Sequence, residues 1–137
     1  MSRAVLVVAH ATHMRLSLVD GLRGHAEVTS SGDDPLRYLR ANRVDVVLVA
    51  LRRRDRRQTL ALARRIKTDG RQPPLVGLID PNGLLSDPAQ ACRDTHADGC
   101  LQGPIDGPGL IALLDGLASP TPSVIGQAPG GWGLFRR

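Results

Sequence analysis

The densest run of chemically capable side chains in this 137-residue chain is Arg52, Arg53, Arg54, Asp55, Arg56 and Arg57. Clustered guanidinium groups present forked donors that suit phosphate or carboxylate oxygens. Arg52, Arg53 and Arg56 are therefore candidate anion-binding residues. The order of readings is a solvated basic face first, an acidic protein partner second and a nucleotide third. His10, His13 and His96, with Cys92 four positions before His96, are the residues that could ligate a metal. Cys92 and His96 share a helix-compatible spacing, but a zinc site needs more than a pair. Structural imidazoles are the expectation, with no metal and no cofactor. A third cluster ends the chain: Trp132, Leu134, Phe135, Arg136 and Arg137. Large aromatics dominate cores and interfaces. Two readings stand level here: the segment covers its own domain, or it anchors in a partner's groove with Arg136 adding charge complementarity.

These residues must be held by elements, and the apolar pattern supplies them. Hydrophobic residues make up 42% of the chain and aromatics only 2%, so the core is built from Val, Leu, Ile and Ala. The chain is long enough for one domain that buries roughly two thirds of its unfolded surface. The run Val44 to Ala50 is apolar and β-branched, too short for a helix, and suits a strand buried on both faces. Similar runs at Ala4–Ala9, Pro74–Ile79 and Cys100–Leu101, with a weaker one at His25–Thr29, make five strands. Helical spacing between them predicts helices over Met14–Leu22, Pro35–Asn42, Asp55–Thr68, Pro88–Thr95 and Pro108–Leu117. Asp33 or Asp34, followed by Pro35, reads as a helix start. Strict alternation implies parallel pairing in a three-layer α/β sandwich. Residues 1–118 form that domain. Residues 119–137, rich in Pro, Gly and Ser, read as a linker and an aromatic C-terminal tail.

Composition narrows the function. The net charge is +5 and the pI about 10.5, yet no recognised nucleic-acid motif accompanies the arginines, so nucleic acid is not the expected partner. The apolar run before His10 is too short for a signal peptide or a membrane span, which makes a cytoplasmic location and no membrane partner the expectation. Cys92 and Cys100 lack a CxxC partner and read as reduced, buried thiols.

Four segments in register then resemble one family. VDVVLVALRRRD is similar to the third strand of bacterial response-regulator receiver domains. RAVLVVAH, PPLVGLID and HADGCLQGPID resemble their first, fourth and fifth strands, with Pro74 and Pro104 where the family has proline. The resemblance covers about residues 3 to 117. It implies a flavodoxin-like, CheY-like fold with a five-stranded parallel sheet of order 2-1-3-4-5. It ordinarily implies a phosphoryl switch as well. Here the family's Mg²⁺-holding acid pair falls on Ala9 and His10, and its phosphoacceptor aspartate on Ala50. Its hydroxyl residue falls on Ile79 and its lysine on Gly103. Mg²⁺ demands carboxylate oxygens, and aspartyl-phosphate chemistry needs a carboxylate nucleophile with charge stabilisation. The expectation is a pseudo-receiver with no catalytic residues and no enzyme activity, acting in bacterial signal transduction as an adaptor for signalling proteins. Its partner would present an acidic surface or a groove that takes the tail, and a homodimer is left open. The alternative is a sensor of an anionic ligand such as cyclic di-GMP through Arg52–Arg57.

Overall fold

The computed structural model describes residues 3–30, 34–70, 72–118, 123–128 and 131–135. The chain alternates strands and helices: β1 (Arg3–Val8), α1 (Thr12–Gly21), β2 (Ala26–Ser30), α2 (Pro35–Ala41), β3 (Val46–Ala50), α3 (Arg56–Thr68), β4 (Leu75–Asp80), α4 (Pro88–Thr95), β5 (Gly99–Gln102) and α5 (Gly107–Gly116). A short 3₁₀ turn at Arg53–Asp55 leads into α3. These elements match the sequence expectation to within two or three residues.

Helix starts follow from local chemistry. Asp34, Asp87 and Asp106 each accept a hydrogen bond from the backbone N–H three residues on, and each helix carries proline in its first turn. The aspartate satisfies an orphan donor, and proline's fixed φ suits a position whose N–H has no helical partner. Of the two capping candidates before Pro35, Asp34 is the one that caps; Asp33 lies outside the described residues.

The sheet has the order β2-β1-β3-β4-β5, parallel throughout. It then continues further than expected. β6 (Ser123–Ala128) pairs parallel with β5, and β7 (Gly131–Phe135) closes antiparallel on β6. The reading of 119–137 as linker and tail is therefore corrected for these two stretches. Val124 and Ile125 are buried. Flanking prolines and glycines masked this short β-branched run, although Pro129-Gly130 between two extended segments is a usable hairpin signal. Trp132, Leu134 and Phe135 thus belong to a strand rather than a free tail. Their side chains, and all of Arg136 and Arg137, lie outside the described residues.

Both faces of the sheet are covered, as a parallel sheet requires. On one face Val5, Val7, Val46, Leu48, Ile79 and Leu101 pack against Leu18 and Leu22 of the first helical unit and Leu110, Leu113 and Leu114 of α5. On the other, Leu6, Val8, Val47, Val49, Val76, Leu78 and Cys100 pack against Ala63 and Ile66 of α3 and Cys92 of α4. α2 adds Leu36, Tyr38 and Leu39 to this second cluster. Each fully buried aliphatic side chain contributes about 1.5–3 kcal/mol of burial free energy.

Gly77 in β4 is a close-approach position. A Cβ there would lie 2.9 Å from Leu48 Cδ2 and 3.2 Å from Leu113 Cδ2. Gly77 is what allows α5 to seat Leu113 on the sheet. Gly77→Val should overpack this contact and cost about 1–3 kcal/mol. A urea unfolding midpoint that does not fall would show that Leu113 can move aside.

Candidate functional site

In open parallel sheets the crevice beyond the carboxyl ends of the strands gathers function. Here the ends of β1, β3, β4 and β5 lie side by side. Ala9 and His10 follow β1 directly; Ala50 ends β3 and stands in register with Ile79 on β4. Gly103 follows β5. The positions singled out by sequence are therefore brought together at one end of the sheet. Ala9 and Ala50 are partly buried against the same apolar cluster that contains Ile79. None of these three side chains can ionise, donate a hydrogen bond or coordinate a cation. Gly103 has φ 102°, a left-handed conformation suited to glycine and strained for a side chain such as lysine. Its N–H donates to the Asp80 carbonyl at 3.2 Å.

Two carboxylates do reach this end, and both are committed. Asp55 receives Arg52 as a fork: Nη2 at 2.7 Å and Nε at 3.2 Å from Oδ2. His10 Nε2 stands 3.8 Å from the same oxygen, and the Thr59 hydroxyl donates to the Asp55 carbonyl at 3.0 Å. The hydrogen bond from Arg52 holds the Asp55 carboxyl below the usual carboxylate range, helped by the charges of Arg52 and His10 and opposed by partial burial. Arg52 is raised in turn, chiefly by the same hydrogen bond. The RxxD pattern thus closes on itself as an internal ion pair.

Asp80 is the residue that sequence reasoning passed over as lying one step beyond Ile79. It is fully buried. Oδ1 accepts the N–H of Leu84 at 2.8 Å; Oδ2 accepts the N–H of Leu85 and Nε2 of Gln102, both at 2.9 Å. Gln102 Nε2 also donates to the Leu85 carbonyl at 2.9 Å. A turn over Asp80–Gly83, with Gly83 at φ 62°, feeds the loop into this arrangement. The β4–α4 loop is therefore pinned to β4 and β5 by one carboxylate and one amide. The Asp-Pro-Asn-Gly string announced the turn; nothing local in sequence announced that the carboxylate would serve two later amides.

The remaining candidates separate. Arg56 Nη1 donates to the Leu84 carbonyl at 3.0 Å. Arg53 and Arg54 are exposed, with no partner among the described residues. The metal set does not assemble: His10, His13 and His96 are exposed while Cys92 is buried, and among the described residues no three potential ligands converge. His96 caps α4 in a left-handed conformation, which turns it away from the helix face that carries Cys92. Burial pushes the Cys92 thiol up to about 12 and raises Cys100 as well. Neither is a ready thiolate at neutral pH. The other structural acids, Asp45 and Asp98, lie at the opposite end, accepting the N–H of Ala4 and of Val76. No helix among the described residues is long and apolar enough to cross a membrane.

No protein-family model matches the chain, and no curated protein does. Solved structures do. The NtrX protein of Brucella abortus superposes with a TM-score of 0.70 at 22% identity, over 85% of this chain and 27% of NtrX. The beryllofluoride-activated DrrB receiver domain of Thermotoga maritima matches with a TM-score of 0.65 at 20% identity, over 85% of this chain and 97% of that one. The chemotaxis response regulator CheY4 of Vibrio cholerae gives 0.66 at 17%, over 85% and 99%. The fold is that of response-regulator receiver domains. The chain spans about a quarter of NtrX, whose remaining length has no counterpart here.

Two consequences can be measured. Asp80→Ala strands the Leu84 and Leu85 amides and should cost about 1–3 kcal/mol. Hydrogen exchange at those two amides should accelerate while the β3 amides stay protected; unchanged exchange would mean the loop is held by other contacts. Asp55 has a lowered folded pKa, so its contribution to stability is complete above the ordinary carboxylate range of about 4 and is lost as pH falls through the folded value. The gap in urea midpoint between wild type and Asp55→Asn should be present at neutral pH and close in acid. A gap independent of pH would assign the loss to packing instead.

Proposed function

We propose that this chain is a phosphorylation-independent receiver-like module that serves bacterial signal transduction by binding other signalling proteins, without enzyme activity of its own. The observation that carries the reading is the pairing of Ala50 with Ile79 at the carboxyl end of the sheet. A phosphoryl switch needs a carboxylate nucleophile there, a hard cation beside it and donors for the developing charge. Ala9, Ala50, Ile79 and Gly103 offer none of these, and the nearby carboxylates of Asp55 and Asp80 are occupied by Arg52, Gln102 and backbone amides. A cytoplasmic location follows from this reading, since receivers act on cytoplasmic partners. Partner capture through Trp132, Leu134, Phe135 and Arg136 stays part of the proposal, as does self-association through the same C-terminal region.

The second reading is an anionic-ligand sensor. The exposed and unpartnered guanidinium groups of Arg53 and Arg54 favour it, as does the absence of nearby acids other than Asp55. Arg52 is spent on Asp55, so the anion-binding set narrows to Arg53, with Arg56 reachable beside it.

Calorimetric titration separates these readings. Mg²⁺ with beryllofluoride should give no saturable binding, with the DrrB receiver domain as the positive control. Saturable binding would sink the phosphorylation-independent reading. Cyclic di-GMP should give no binding either; a saturable isotherm abolished by Arg53→Ala with Arg56→Ala would put the sensor first.

A further inference from the structure

A groove of about 570 Å³ runs between α3 and α4, away from the carboxyl-end crevice. Its apolar floor includes Leu60, Ala61, Leu85 and Ala91. Two arginine straps frame it. Arg56 Nη1 donates to the Leu84 carbonyl at 3.0 Å at one end, and Arg64 Nη1 reaches the Asp94 carbonyl at 3.5 Å at the other. These straps hold α3 against the β4–α4 loop and against the end of α4. Between them Arg57 is exposed and without a partner among the described residues.

The charges on the two walls differ in kind. On the α4 wall, Asp87 caps the helix by accepting the Gln90 N–H, and Asp94 accepts Gln90 Nε2 at 2.8 Å. Both acids are engaged within α4. On the α3 wall Arg57 is unspent, and the straps of Arg56 and Arg64 go to carbonyls, which leaves their charge unneutralised. Exposed Arg53 and Arg54 extend the positive field just upstream. An apolar floor under a one-signed rim selects an occupant with an apolar stripe and acidic flanks. The chain's own C-terminus ends in Arg136 and Arg137 and has the wrong sign. A second copy's C-terminus has the same defect.

We propose that the α3–α4 groove docks an acidic amphipathic helix from a partner protein, apolar side chains on Leu60 and Leu85 and carboxylates toward Arg57. The proposal rests on the interaction-module reading and names a surface and partner chemistry for it. Helix-in-groove recognition of this type uses anchors at i, i+3, i+4 and i+7.

The probe is a fluorescent synthetic peptide of about 12 residues, leucines at those spacings and glutamates elsewhere, titrated against the full chain by anisotropy. Saturable binding that weakens with added salt is expected. Arg57→Glu combined with Ala61→Glu should weaken it by at least about tenfold, because both sites are exposed in the groove and the new carboxylates repel the probe. Arg65→Glu is the control: it is exposed on α3 outside the groove lining and changes charge by the same amount as the Arg57 reversal. It should leave binding within about twofold, since its effect is long-range and screened. Circular dichroism and urea midpoints of both variants verify folding. Equal weakening by the Arg65 and groove variants would overturn the proposal, as would equal binding of a scrambled peptide with no leucine stripe. Absence of binding would overturn it, and so would competition by duplex DNA or by phosphatidylglycerol vesicles more strongly than by unlabelled peptide. Failure here leaves the beryllofluoride result untouched, so the groove and the phosphorylation-independent reading fall separately.

Discussion

Everything in this fold depends on a central strand that cannot touch water. Val46, Val47, Leu48 and Val49 are all at most 1% exposed, and their side chains alternate into two separate apolar clusters. A strand buried on both faces must be flanked by paired strands, because each of its backbone groups needs a ladder partner. It must also be covered by helices on both sides. Those demands fix β1 and β4 as neighbours and send α1 and α5 to one face and α2, α3 and α4 to the other. Polar chemistry is thereby expelled to strand ends, loops and outer helix faces. The carboxyl end is the natural crevice, but the residues there are now largely satisfied by one another.

That satisfaction explains how a crevice can lose acids without collapsing. Alanine at positions 9 and 50 leaves no charge to desolvate, and both side chains join the apolar cluster beneath. The one fully buried acid, Asp80, has three donors on its two oxygens and no unpaired lone-pair demand of consequence. Buried carboxylates are tolerable only when hydrogen bonded in this way. The same bonds tie the β4–α4 loop to the sheet. A loop held by neutral amide donors has no built-in dependence on an added phosphoryl group or cation. Gly103 completes the picture, since its left-handed backbone suits the hydrogen bond to the Asp80 carbonyl better than it would suit a lysine.

The sequence made the layers legible because its periodicities are clean. β-branched runs such as Val44–Ala50 and Leu75–Ile79 have no other physical use than a two-sided burial. Aspartate-proline starts at Asp34, Asp87 and Asp106 mark helices through a local bond that sequence spacing reveals. The positions at the carboxyl end were legible for the same reason: strand ends locate them. What could not be read was long-range pairing. The Asp80–Gln102 bond joins residues 22 apart in sequence. The partition of the arginines among Asp55, Leu84 and Asp94 depends on where three helices and a loop meet. β6 was missed because two buried residues between prolines and glycines form too short a pattern to outweigh their composition.

The distribution of spent and unspent charge gives the molecule its remaining direction. A basic chain of net charge +5 could attract anions over its whole surface. Internal pairing removes much of that generality. Arg52 is neutralised by Asp55, and Lys67 by Asp98 at 2.8 Å while it also donates to the Pro74 carbonyl. Carbonyl acceptors orient Arg56 and Arg64 without cancelling their charge. The excess therefore concentrates along the start and outer face of α3, next to apolar residues that α4 leaves partly open. Positive charge at a helix N-terminus opposes the macrodipole and contributes nothing favourable to the helix itself. Its cost, some tenths of a kcal/mol per residue, is small against the burial that holds α3 in place. A fold with this much aliphatic core can carry such a charged edge without losing its structure, and the edge is then free to be used for contact with something acidic.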